Sequence, residues 1–215
     1  MNSSDVTIVD YGSGNLLSVK RAFEKIGATV EISGDSKIIA QAKRVLLPGV
    51  GAFPRAITLL TQLKLVSVLQ NLPKTGIPLL GICLGMQLLM DSSEEFENTK
   101  GLGIIPGNVI EIPESKIQGV DHRIPHIGWN PLKLSIHSNS GGSGILNGVS
   151  DDTEFYFVHS YMVNSSNKDN TIAHATYGSA IIPAIIGVDT VFGCQFHPEK
   201  SGKAGLRVLE NFLQI

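Results

Sequence analysis

A cysteine set between two glycines at the end of an apolar run, and a His-Pro-Glu triplet near the C-terminus, carry the side chains best equipped for chemistry in this chain. Gly81-Ile82-Cys83-Leu84-Gly85 has the form of a nucleophile elbow with sulfur in place of oxygen: a buried strand, a nucleophile flanked by small residues, then a helix. The glycines let the chain turn sharply and leave room for a substrate. At a helix N-terminus the unpaired N–H groups and the dipole favour a thiolate, and the Leu84 amide lies where an oxyanion would form. A lone cysteine in such a turn is more often a small buried thiol; the two flanking glycines tip the reading toward a nucleophile. A thiolate needs a base. His197 follows the apolar run 191–196, Pro198 biases it toward extended backbone, and Glu199 comes round to the same side, where a carboxylate fixes the ring's tautomer. The chemistry this implies is cleavage of an amide, with Cys83 as nucleophile, His197 as base and Glu199 orienting the base. Zinc on Cys194, His197 and Glu199 is a poor alternative, because nothing nearby completes a tetrahedral set.

Other residues group around this pair. Pro48-Gly49-Val50-Gly51 ends a strand on the edge expected to hold Cys83, where a glycine-rich turn aims backbone N–H groups at a reacting carbonyl, or simply connects strand to helix. Gln87 stands one helical turn beyond Cys83 and reads as a pocket wall or as surface filler. His159 sits inside a strand pattern and reads as a hydrogen-bonded core or site-wall residue, and His126 lies among apparent loop residues 125–130. His122, His137 and His174 have no neighbours that suggest chemistry. Gly12-Ser13-Gly14 superficially looks like a dinucleotide loop, but Leu17 occupies the third glycine's place; no cofactor and no metal are expected.

The elements that must position these groups follow from periodicity. The β-branched run 6–10, the segments 29–32 and 44–47, and the apolar run 78–82 read as strands; 16–26, 53–69 and 84–90 read as helices between or after them. This alternation argues for an α/β fold with a flavodoxin-like mixed, mostly parallel sheet covered by helices on both faces. In the second half, 109–112, 155–163, 171–176, 184–188 and 191–196 read as strands with added antiparallel or mixed pairing, 164–170 as a hairpin tip, 137–144 as an exposed loop and 204–213 as a closing amphipathic helix. One domain over 1–215 is expected. A formal charge of -2, from 17 basic and 19 acidic side chains, offers no basic field for nucleic acid or an anionic membrane. With no apolar leader and two cysteines expected as free thiols, the reading is a cytoplasmic protein.

Taken together, residues 81–87 and His197-Pro198-Glu199 resemble the class I, or triad, glutamine amidotransferases. Within them the chain is similar to the glutaminase subunits of imidazole glycerol phosphate synthase, on 10–15, 48–53, 125–130, 157–161 and 195–202. The resemblance implies glutamine as substrate, a thioester on Cys83, Val50 and Leu84 as oxyanion hole, and Gly49, Gly51, Gln87, His159, Ser160 and Tyr161 around the substrate. It further implies a heterodimer with a (β/α)8 cyclase subunit that receives the ammonia for histidine biosynthesis, with Asn15, Trp129 and Lys200 facing that partner. Trp129, the sole tryptophan, would anchor the interface, and a peptide flip at Val50 would gate the oxyanion hole. Residues 181–183 and Asp189 depart from the family pattern without touching the proposed triad. Three alternatives stand beside this reading: a paralogous subunit feeding ammonia to a sugar-modifying synthase, a stand-alone cysteine hydrolase, and a catalytically silent regulatory subunit, against which the complete triad argues.

Overall fold

The computed structural model describes residues 4–114, 116–117, 120–121, 123–135 and 142–215. His122, His137 and most of the stretch 137–144 lie outside the described residues. In the first half, strands β1 (Val6–Val9), β2 (Val30–Ser33), β3 (Val45–Leu47) and β4 (Leu79–Ile82) alternate with helices α1 (Leu16–Lys25), α2 (Ser36–Ile39), α3 (Phe53–Gln62) and α4 (Val66–Thr75), and α5 (Leu84–Leu88) follows β4. The second half runs through β5 (Ser92–Ser93), β6 (Thr99–Lys100), β7 (Gly107–Glu111), β8 (Lys116–Ile117), β9 (Val120–Asp121), β10 (His126–Pro131), β11 (Lys133–Leu134), β12 (Glu154–His159), β13 (Tyr161–Ser165), β14 (Thr171–Tyr177), β15 (Ala180–Val188) and β16 (Val191–Cys194) to α6 (Gly202–Phe212).

Eight strands form the main sheet in the order β11-β14-β15-β16-β4-β3-β1-β2. From β2 to β16 neighbouring strands are parallel, and β15, β14 and β11 extend the sheet with antiparallel pairing. Strand alternation sends side chains to both faces. Leu46, Leu80 and Ile82 pack in one core with Phe23 of α1 and Leu209 and Phe212 of α6; Val45, Leu47 and Leu79 pack in the other with Leu60 of α3, Leu69 of α4 and Met86 of α5. Burial on both faces explains why β4 reads as a continuous apolar run rather than an alternating one.

Four expectations need correction. The run 53–69 is two helices, because Lys64 takes a left-handed φ of 57° and ends the first. The run 155–163 is two strands that part at Ser160: β12 pairs with β10, whereas β13 crosses to β7 in a second sheet of order β13-β7-β5-β6. Asn164 and Ser165 close β13 and residues 166–170 lead from its sheet to β14 in the main sheet, so 164–170 is not a hairpin tip. Residues 125–130 are not a loop; His126–Pro131 is a strand, with Pro131 tolerated at the end of a two-stranded ladder. Pro183 sits within β15 opposite His174, beside a register shift in β14.

Candidate active site

Parallel β4 and β16 bring the two ends of the chemistry together, with Cys194 beside Ile82 in register. Cys83 follows β4 directly at φ 54°, ψ -112°, a strained conformation for any side chain but glycine. The Cys83 N–H donates to the Cys194 carbonyl at 2.8 Å, and the Cys83 carbonyl accepts from the Met86 and Gln87 N–H groups at 3.0 and 3.2 Å. Those bonds tie the elbow to both the sheet and the helix. The flanking glycines do something other than turn the chain. A Cβ on Gly85 would stand 1.9 Å from the Leu47 carbonyl oxygen, and one on Gly81 would stand 2.6 Å from Gly85 itself, so both glycines let α5 lie directly on the sheet. The turn is made by the cysteine.

His197 is buried beyond the end of β16, its N–H donating to the Tyr156 carbonyl at 2.9 Å. Its Nδ1 lies 2.8 Å from Glu199 Oε1. Glu199 arrives there through a 3-10 turn over Pro198–Lys200 rather than by strand alternation. Ser201 fixes the triplet from behind: its hydroxyl donates to the His197 carbonyl at 2.7 Å and accepts from the Tyr156 N–H at 3.0 Å. Burial alone would strip the proton from His197, but hydrogen bonding to Cys83 and then Glu199 outweighs it and pushes the ring's pKa up to about 9. Cys194 is a buried free thiol whose pKa burial pushes well above the usual range.

Cys83 and His197 open onto a cleft of about 540 Å³. Val50, Gly51, Leu84, Gln87, His159, Ser160, Tyr161 and Lys200 line it as well. Gly49 does not. It lies under the turn, where a Cβ would meet Gly85, Leu84 and the Tyr11 hydroxyl at 2.8 to 2.9 Å. Asn15 is exposed at the start of α1 and Trp129 is 52 % exposed on β10, packed edge-on against Tyr156; neither lines the cleft. The Lys200 ammonium lies 5.8 Å from the centroid of that same Tyr156 ring. Among the described residues no group of three His, Cys, Asp or Glu gathers in a way that could hold a metal ion.

Gln195 escaped the sequence reading as a site residue. It is fully buried, and its amide nitrogen lies 3.8 Å from Cys83 Sγ. Gln87 donates to Gln195 Oε1 at 3.1 Å and to the Tyr161 carbonyl at 2.9 Å, so one amide orients the other toward the sulfur. Strand alternation put Gln195 on the face of His197 and was the available signal. Glu95, Phe96 and Glu111, also cleft-lining, had none, since they arrive on loops and strands of the second sheet. Burial, and then the carboxylates of Glu111 and Glu95, hold the Tyr161 hydroxyl protonated to higher pH.

A family model for class I glutamine amidotransferases matches residues 7–215. An imidazole glycerol phosphate synthase subunit HisH 1 of Legionella pneumophila (strain Lens) is 43% identical over 212 residues, covering 99% of this chain and all of that protein. The HisH subunit of Lactococcus lactis is 45% identical over 97% of this chain and 98% of its own length. In fold the chain is similar to a glutamine amidotransferase crystal structure, with a TM-score of 0.71 at 17% identity, and to PurLQS from Thermotoga maritima, with 0.70 at 17%; each match covers 97% of both chains. On its sequence, its sheet and its full-length relatives, the chain belongs to the class I glutamine amidotransferase family.

Proposed function

We propose that the chain hydrolyses glutamine to glutamate and ammonia at Cys83 and delivers the ammonia to a synthase partner. The observation that carries this is the buried His197–Glu199 pair, 2.8 Å apart, facing the strained Cys83 on one cleft. Sulfur attacks the side-chain amide carbon and a C–S bond forms; the negative charge moves to oxygen, held by the Leu84 and Val50 N–H groups. His197 gives its proton to the leaving nitrogen, ammonia departs, and a thioester remains. Water, deprotonated by His197, then opens the thioester and restores the thiol. The cleft's charges suit a zwitterionic amino acid, with Glu95 and Glu111 for the ammonium and Lys200 for the carboxylate.

The partner in this reading is a (β/α)8 cyclase subunit forming a heterodimer, and the pathway is histidine biosynthesis in the cytoplasm; the relatives' name as subunits of imidazole glycerol phosphate synthase supports a partner subunit. The test is co-purification with that cyclase, followed by synthesis assays with glutamine and with free ammonium side by side. Synthesis from glutamine only when both chains are present supports the reading. Glutamine-independent peptide hydrolysis by the single chain would favour a cysteine hydrolase instead.

Asn15, Trp129 and Lys200 lie on the proposed docking face. A half-exposed tryptophan is a strong interface anchor because it buries a large area at small entropic cost. Trp129→Ala is expected to weaken association by about 2 kcal/mol, or roughly 30-fold, while leaving the melting temperature of the free chain unchanged. Isothermal titration checks it, and equal affinity would remove Trp129 from the interface.

The partner would also gate the oxyanion hole. The Tyr11 hydroxyl donates to the Pro48 carbonyl at 2.9 Å and the Ser13 hydroxyl to the Val50 carbonyl at 2.8 Å, so the peptides on either side are tied. The Gly49–Val50 peptide between them has neither tie, and rotation there turns the Val50 N–H into or out of the hole. One donor of this kind is worth about 10²- to 10³-fold in rate. Glutamine turnover should therefore rise by about that factor from the free chain to the complex holding cyclase ligand. Equal rates in both states would rule gating out.

A further inference from the structure

Two imidazoles that the triad does not use stand behind the cleft wall. His159 ends β12 and lines the cleft; His126 begins β10 directly opposite it in the ladder and is fully buried. A chain of hydrogen bonds runs through both rings. His159 Nδ1 lies 2.8 Å from the Tyr161 carbonyl oxygen, His159 Nε2 lies 3.0 Å from His126 Nδ1, and His126 Nε2 lies 2.9 Å from Asn130 Oδ1. The Asn130 amide nitrogen donates to the Thr176 carbonyl at 2.8 Å.

Counting hydrogens along this chain leaves one complete solution. The Tyr161 carbonyl only accepts, so His159 Nδ1 carries a hydrogen. The Thr176 carbonyl also only accepts; it fixes the Asn130 side chain with its NH2 outward and its oxygen toward His126 Nε2, which must then carry a hydrogen too. One more lies between the rings. The pair therefore needs three ring protons, and two neutral imidazoles have only two. A neutral pair would have to give up one of these contacts in a buried site, where an unmade hydrogen bond is costly.

The surroundings say which ring takes the charge. His126 lies between the Tyr177 ring, 4.0 Å away at 25°, and the Phe157 ring, 5.0 Å away at 20°. Two aromatic faces stabilise a cation between them. His159 goes the other way: burial first, and then the positive charges of His126 and His197, push its pKa down to about 3.

We infer that His126 is an imidazolium in the folded protein, donating to His159 and Asn130 at once, and that it acts through His159 as a fixed positive background for negative charge formed at Cys83. The proton count stands on the hydrogen-bond and ring geometry, the lowered His159 pKa supports placing the charge on His126, and the effect on Cys83 rests on the glutaminase reading. Among the described residues, titratable groups near the pair include Cys83, His197, Glu95, Glu111, Tyr161 and Lys200 at the cleft and Tyr177 over the His126 ring. As a positioning residue, His126 differs from a structural one in leaving a spectroscopic signature.

Nitrogen-15 NMR of the histidine-labelled full chain near neutral pH reads that signature, with His126 signals assigned by their loss in His126→Gln. Both ring nitrogens of His126 should be protonated, and His159 should be a neutral ring with its proton on Nδ1. A bare nitrogen on His126 would overturn the inference. Asn130→Leu removes the acceptor and should leave His126 neutral, with iodoacetamide alkylation of Cys83 slowed by roughly 3- to 10-fold. Asn130→Asp keeps an acceptor and should leave His126 doubly protonated, but its own carboxylate cancels the positive charge, so alkylation should slow as in the leucine variant; the retained signature guards against misfolding. Unchanged alkylation in a folded Asn130→Leu protein with neutral His126 would overturn the effect on Cys83. If the glutaminase reading itself fails, wild type will not hydrolyse glutamine although His126 remains doubly protonated.

Discussion

Cys83→Ala is expected to lower glutamine-dependent synthesis by the assembled enzyme roughly 10⁴-fold or more, with synthesis from free ammonium unchanged. The size follows from the role. Without sulfur no thioester forms, and what remains is binding and whatever the oxyanion donors lend to attack by water. The ammonium arm separates chemistry from folding. Cys83 is 7 % exposed and helps line one core, so its replacement by a slightly smaller side chain leaves a small void and little else. Loss of both activities would indicate a damaged fold or complex, and retained turnover of glutamine would remove Cys83 from the reaction.

Glu199→Gln should cost about 10³- to 10⁴-fold in turnover, with the KM for glutamine nearly unchanged. The carboxylate sits 2.8 Å from His197 Nδ1 and is almost wholly buried, so it both fixes the tautomer and holds the proton that the ring carries during the reaction. The substitution also has a pH signature. His197 in the folded protein keeps its proton to about pH 9, above the 6.5 of an ordinary histidine, with Cys83 the larger favourable partner and Glu199 the second. A raised folded-state pKa stabilises the protein fully below about 6.5 and loses that contribution as pH rises through about 9. The wild type should therefore lose more of its melting temperature across that window than Glu199→Gln does, measured in matched buffers. Parallel melting curves would show that Glu199 does not hold the ring's proton.

The parallel half of the fold was legible because its signals are local and agree with one another. β1, β3 and β4 are short apolar runs that stop at Asp10, Pro48 and Cys83, and α1 keeps its buried residues Val19, Ala22 and Phe23 on one face. The triad was legible for the same reason: Cys83 has glycines within two residues on each side, and His197 and Glu199 are neighbours. What stayed hidden depends on partners far along the chain. Residues 155–163 have one unbroken strand-like pattern, and nothing in it announces that Tyr161 will pair with Glu111 while His159 pairs with His126. A lysine with left-handed backbone ends α3 where the apolar pattern of 53–69 runs on undisturbed. The glycines of the elbow were found for a different reason than the one they serve, since only the packed structure shows α5 seated against the Leu47 carbonyl. Glu95 and Glu111 reach the cleft by tertiary folding alone, whereas Gln195, buried beside the Cys83 sulfur, had strand alternation with His197 as its one signal.

The central claim is that glutamine carbon becomes bonded to Cys83 sulfur. A chloroketone analogue of glutamine, incubated with the complete chain and its partner and followed by peptide mass spectrometry, tests it most directly. The account predicts one adduct per chain, on Cys83, forming in step with loss of glutamine hydrolysis and slowed by excess glutamine, with Cys194 untouched in its buried position. Labelling of Cys194 in its place, or full hydrolysis by a chain already alkylated at Cys83, would contradict it.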